Sequence, residues 1–177
     1  MLLTPKKLAF LGLLLSLSIL LIILSGMFEF NTLFLLAAAS FCIGIAIRES
    51  SIRIGIGYYL AGIFLGFLLA PNKLYCLTYA AMGLYIVILE LAYERLTYVK
   101  WIKYRIATFW IIKYLAFNVM YIPILIYLPK LIYPGPMNKG LLGVFLLAGQ
   151  IVVYVFDKAY LSFHHSVWGK IRTKLHL

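Results

Sequence analysis

The sequence predicts an all-α protein, an integral membrane bundle of about six transmembrane helices with both its N-terminus and its C-terminus cytoplasmic. Three observations lead there. Of the 177 residues, 65% are hydrophobic and only 12% charged, whereas ordinary globular domains are near half apolar and a quarter charged. A water-soluble core of this size cannot hide so much apolar surface, and a bilayer can. The apolar residues also run on without the period-two alternation of a barrel strand, and in hydrocarbon only helices and closed barrels satisfy their own backbone. Finally, the cations fall between the apolar runs and are shared unequally among the connecting segments.

A helix needs about 20 mostly apolar residues to cross a bilayer, and six segments qualify within a single membrane domain, 1–177. The first is 8–28, introduced by Lys6 and Lys7. Those two lysines and the leucine-rich run after them resemble a secretory leader. The run is long for one, and no A-x-A site follows, so a retained first helix is expected. The second span, 32–47, follows the short break at Glu29, Phe30 and Asn31. The third, 54–70, is stopped by Pro71, Asn72 and Lys73. The fourth is 74–93. The fifth, 106–128, carries Lys113 and Pro123 inside it, and the sixth is 141–160.

With the N-terminus inside, the cytoplasmic segments hold Lys6, Lys7, Arg48, Arg53, Arg95, Lys100, Lys103, Arg105, Lys158, Lys170, Arg172 and Lys174. The external segments hold only Lys73, Lys130 and Lys139. That asymmetry follows the positive-inside rule and requires an even number of spans. It also accounts for the net charge of +11 through topology and anionic lipid headgroups, so no nucleic-acid partner is implied. The localisation expected is a cell membrane, the inner or plasma membrane of a bacterium. The cytoplasmic stretch 94–105 spaces Leu96, Val99 and Ile102 by three beside Lys100, Lys103 and Arg105. It reads either as an amphipathic interfacial helix or as an extension of the fifth span. The tail 161–177 has a similar character, with Trp168. Outside, Pro134 and Pro136 keep the loop after Tyr133 from being helical throughout.

The polar residues inside the spans are few enough to take one at a time. Glu90 lies in the fourth span, and Lys113 lies at a similar depth in the fifth. An intramembrane carboxylate is expensive unless it pairs, protonates or faces a cavity, so an intramembrane ion pair Glu90–Lys113 is expected. That pair is either functional or a structural tie between helices. Asn118 and Gln150 either bond across helices or line a cavity. Asp157, beside Lys158, is expected to mark the membrane interface. Small residues recur four apart at Gly12 and Ser16, at Ser40 and Gly44, and at Gly62 and Gly66. Such spacing lets helix backbones approach one another or a docked partner. The adjacent His164 and His165 would point to different helix faces with no third ligand near. They read as part of an interfacial aromatic cluster with Phe163 and Trp168, and no metal site is expected. Cys42 and Cys76 stand apart, without a CxxC, and read as small apolar fillers. There is no Walker A sequence, HExxH, GxSxG or acidic DxxD cluster. No cofactor and no enzymatic activity are expected, and an enzyme would have only Glu90 as its acid–base group.

The overall plan resembles the substrate-binding S components of energy-coupling factor transporters. The resemblance rests on size, six spans, both ends inside, a basic N-terminus opening straight into the first helix, and small residues on early spans. The runs LLAPNKL at 68–74, AMGLY at 81–85 and KYLAFN at 113–118 look like signatures of a related six-span bacterial group. The resemblance implies a membrane transport subunit that binds a small molecule such as a micronutrient near the external face. It also implies docking onto a membrane coupling subunit with two ATPases. The family's docking motif is a small-xxx-small pair on the first span, usually two alanines, and Gly12 and Ser16 are the pair present here. On this reading Asn118, Tyr121 and Gln150 line the ligand cavity, the loop at Tyr133 lids it, and Gly12, Ser16, Gly62 and Gly66 serve docking. The alternative is a non-catalytic membrane assembly or regulatory protein acting through helix–helix contacts.

Overall fold

The computed structural model describes residues 4–28, 31–98, 105–127 and 138–170. Six helices account for nearly all of them: α1 Pro5–Ser25, α2 Thr32–Glu49, α3 Ile52–Leu69, α4 Lys73–Tyr98, α5 Arg105–Tyr127 and α6 Lys139–Ser162. A π-helical turn, Phe163–Trp168, continues α6. All six are long and apolar enough to cross a membrane, and no strand occurs among the described residues.

Local chemistry sets several of the ends. Pro5 opens α1 at a position where a missing N–H costs nothing. Ser51 caps α3, its side chain accepting from the Ile54 amide. At the other end Ala70 is extended, as the residue before a proline must be, and Pro71 breaks the chain into the short turn before α4. α4 runs on to Tyr98, so the first part of the stretch 94–105 belongs to this helix; residues 99–104 lie outside the described ones.

α2 is the centre of the protein. It packs against α1, α3 and α4, and the π turn reaches its last residues. Of its most apolar stretch, 61% is buried, against 11% for α5 and 17% for α6 with its π turn. Small residues make the close packing of α1–α4 possible. A Cβ at Gly62 would lie 2.5 Å from the Tyr79 hydroxyl of α4, and one at Gly66 would touch Cys76 and Ile22. One at Gly83 would meet Ile43 and Tyr59 at under 3 Å. Ser18 adds a polar tie, its Oγ lying 2.7 Å from the Tyr58 hydroxyl.

Two expectations change here. Gly62 and Gly66 are buried inside the bundle and already occupied by α4 and α1, so they offer no surface to a partner. Trp168 is not a surface aromatic: it is buried, lies tilted against Phe10 of α1 (ring centroids 5.5 Å apart), and donates from its indole nitrogen to Glu49 at 3.1 Å. These contacts, with the Lys7 ammonium donating to the Glu49 carbonyl at 3.0 Å, gather the start of α1, the end of α2 and the end of α6 at one end of the bundle. We call it the basic end.

Candidate functional site

Three groups of residues near one another stand out, in and beside the seam where the α5–α6 hairpin meets α4.

The first is an ion pair. Lys113 of α5 places its ammonium 2.7 Å from one Asp157 oxygen and 2.8 Å from the other. Both residues are buried, at 3% and 1% exposure. The ammonium also lies over the Phe109 and Trp110 rings, 4.3 and 4.7 Å from their centroids, and cation–π attraction is strongest where water is excluded. Lys113 is eight residues into α5, about 12 Å along the helix. Asp157 therefore faces the inside of the bundle, as the partner that a buried amine requires.

The expected Glu90–Lys113 pair does not form. Glu90 pairs with Arg48 instead. The Arg48 Nε and Nη2 donate to Glu90 Oε1 at 2.9 and 2.6 Å, and the Tyr160 hydroxyl donates to the same oxygen at 2.5 Å. Arg48 further lies over the Tyr160 ring, 5.6 Å from its centroid. Arg48 sits in the last turn of α2, one residue past the predicted span; α4 meets α5 near this height too, Tyr93 against Phe109, but Lys113 there is already paired with Asp157. His164 packs edge-on against Tyr160 and Phe163 in the same neighbourhood, with its ring nitrogens buried and without hydrogen-bond partners.

The second group is the reciprocal amide pair of Asn118 and Gln150. Each amide nitrogen donates to the other's oxygen, at 3.2 and 2.8 Å. Asn118 also returns a bond to the Tyr114 carbonyl of its own helix, at 2.8 Å. The pair ties α5 to α6; Asn118 also borders an open groove beside Trp110 and Tyr114, and neither residue is in the wall of the apolar cavity described next.

The third is an apolar cavity of about 130 Å³ between α4, α5 and α6. Tyr121 is in its wall, and its hydroxyl is turned away to donate to the Phe145 carbonyl at 2.9 Å. The remaining wall is apolar or aromatic, notably Ala81, Met82, Phe117, Met120 and Phe156. Tyr85 connects this cavity to the ion pair: its ring borders both, and its hydroxyl is buried without a partner.

No known family, characterised protein or solved structure matches this chain.

The predicted site residues therefore separate by face. Gly12 and Ser16 are exposed on α1; a Cβ at Gly12 would meet nothing within 4 Å, and Ser16 returns its hydroxyl to the Gly12 carbonyl at 3.0 Å. Tyr133 lies outside the described residues. Sequence reasoning missed Arg48, Tyr160 and the Asp157 partnership. A signal for the last existed. Trp110 and Lys113 on α5, and Tyr154 and Asp157 on α6, are both spaced three apart, and Trp110 stacks on Tyr154 with centroids 6.0 Å apart.

Proposed function

We propose that this chain is a non-catalytic, ligand-binding subunit of a membrane transport system, with both ends on the cytoplasmic side of a bacterial plasma membrane. The observation that supports it is the cavity between α4 and the α5–α6 hairpin, because close-packed proteins rarely leave such a space without use. Its size narrows the ligand. About 130 Å³ is near the volume of an engineered apolar cavity that takes up benzene. A whole vitamin does not fit, whereas one ring or a short stretch of hydrocarbon does. The ligand is therefore an apolar molecule, or the apolar part of an amphiphile, entering between α4 and a hairpin that is mostly open to lipid. The unequal distribution of cations supports the orientation. The energising complex is the part of the reading that rests on resemblance alone.

A second reading has one observation in its favour. Gly12 and Ser16 present a small-residue notch on the lipid-facing side of α1, as an assembly protein working through helix contacts would need. Both readings are tested by purifying the tagged protein in mild detergent and identifying the proteins and small molecules that accompany it. Recovery of a coupling subunit with paired ATPases, together with an apolar molecule lost in an Ala81→Phe variant, supports transport. Recovery of other membrane proteins with no such molecule supports assembly and removes the transport reading.

A further inference from the structure

A second cleft, separate from the apolar cavity, opens at the basic end where α2, α3 and α4 meet. It has a volume of about 400 Å³ and is walled by Arg48, Ser51, Glu90, Tyr93, Glu94 and Thr97. That is within the range of small-molecule sites. Its polar atoms are not all used by the protein. Arg48 directs Nε and Nη2 to Glu90 Oε1, which also takes the Tyr160 hydroxyl. Arg48 Nη1 and Glu90 Oε2 take no part in these bonds, and both residues line the cleft. The Ser51 oxygen accepts from the Ile54 amide, which leaves its own hydroxyl proton free.

Charge decides what such a cleft would hold. Arg48 and Glu90 neutralise one another, and the exposed Glu94 leaves one negative charge over. A purely anionic group would meet the guanidinium but also two carboxylates. A group with an anion at one end and a protonated amine at the other satisfies every free atom. Its phosphate takes Arg48 Nη1 and the Ser51 hydroxyl, and its ammonium takes Glu94 and Glu90 Oε2. The position suits a lipid. The cleft is formed by the last turn of α2, the first of α3 and the final two turns of α4, at the helix ends where headgroups lie. Tyr93, 60% exposed, is the kind of side chain that favours that layer.

We propose that this cleft binds a phosphate-plus-primary-amine group, the chemistry of a phosphatidylethanolamine headgroup. The inference does not depend on the apolar cavity or on which way the protein faces.

The test uses the full-length protein, stripped of lipid in detergent. Binding of short-chain phosphatidylethanolamine, phosphatidylglycerol and phosphatidylcholine is followed by native mass spectrometry, with soluble phosphoethanolamine as competitor. Phosphatidylethanolamine should bind about tenfold more tightly than the other two, the effect of one charge-assisted hydrogen bond. The exposed Glu94→Lys change should remove that preference and turn it toward phosphatidylglycerol, while Ser51→Ala should weaken all three about equally. Competition by soluble phosphoethanolamine at matching concentration would assign the site to a free metabolite of the same chemistry. Failure to compete would assign it to the lipid. Equal binding of the three lipids, or an ethanolamine preference that Glu94→Lys leaves untouched in a protein with unchanged melting temperature, would overturn the proposal. Because the apolar cavity plays no part in it, an Ala81→Phe variant should bind the headgroup normally.

Discussion

The α1–α4 unit and the α5–α6 hairpin use the same two kinds of contact in different proportions. Within α1–α4 small residues and ring-filled notches predominate, Gly62 against Tyr79 and Gly83 against Ile43 and Tyr59, with polar ties at Ser18–Tyr58 and Arg48–Glu90. Within the hairpin polar ties predominate, Lys113 to Asp157, Asn118 to Gln150 and Tyr121 to the Phe145 carbonyl, beside one ring-filled notch, Gly149 against Tyr121. The hairpin meets α4 through an aromatic patch around Tyr85, Leu89 and Val153 and leaves a cavity beside it. In lipid the hydrophobic effect does not draw helices together, so they associate by close packing or by hydrogen bonding. Close packing needs a matched surface along the whole helix. Polar ties hold at points, and they leave space between them. The cavity lies in the part of the protein built the second way.

The comparison is tested most severely at the ion pair. Lys113→Met leaves Asp157 charged, buried and without its partner, which should cost about 3–5 kcal/mol. Lys113→Met combined with Asp157→Leu should recover most of that loss, because two apolar side chains need no partner. Reversible unfolding in mixed detergent micelles measures both. A double variant no more stable than the single one would mean that the pair does more than satisfy its own charges, and the hairpin would then be a working part and not only a scaffold.

The α1–α4 unit should fail in another way. Gly62→Ala forces a methyl group against Tyr79, which is 0% exposed and has nowhere to move. Overpacking of this kind costs about 1–3 kcal/mol. No second-site polar change should rescue it, whereas Tyr79→Phe, which removes the hydroxyl nearest the new methyl, should recover part. If Gly62→Ala proves neutral in the same unfolding assay, the small-residue packing is looser than the distances indicate and the contrast between the two regions weakens.

Much of this was legible in the sequence, and for a physical reason. Crossing a membrane depends on the length and polarity of each segment by itself, so six spanning helices follow from local composition. Partnership depends on how each helix is rotated and which neighbour it faces. Glu90 was expected to meet Lys113 because their depths agree, and depth is readable from the distance to a helix end. Which helix lies opposite is not. Arg48, assigned to a loop, reaches back from the last turn of α2, and Asp157, assigned to an interface, turns inward to Lys113. For Asn118 and Gln150 the sequence allows either bonding across helices or lining a cavity, and the facing of α5 on α6 brings the two amides together.

The amide pair measures how far polar ties alone hold the hairpin. Asn118→Leu removes both inter-residue bonds and leaves Gln150 half-buried with its amide oxygen unmatched and its nitrogen only on the Leu146 carbonyl, at 3.5 Å. Interhelical hydrogen bonds in membranes are each worth about 0.6 kcal/mol on average, so the loss should be near 1 kcal/mol. It should add to that of Lys113→Met without coupling, since the two pairs share no partner. A loss comparable to that of the ion pair would make Asn118 and Gln150 part of a larger network.

The smallest effect is expected at Gly12, and its smallness is informative. A glycine inside a helix costs about 0.5–1 kcal/mol relative to alanine, and a Cβ here would touch nothing within 4 Å. Gly12→Ala should therefore leave the isolated protein unchanged or slightly more stable. Gly62→Ala, the same substitution in the same unit, should destabilise it. If Gly12 is kept small for a neighbouring helix, Gly12→Leu will leave unfolding unaffected while reducing recovery of whatever membrane protein co-purifies. Should both stability and recovery survive Gly12→Leu, that face of α1 simply meets lipid, and the assembly reading loses its only structural support. A marked loss of stability instead would mean that α1 packs more closely at Gly12 than its open surroundings allow, and the division between packed and open faces would have to be redrawn there.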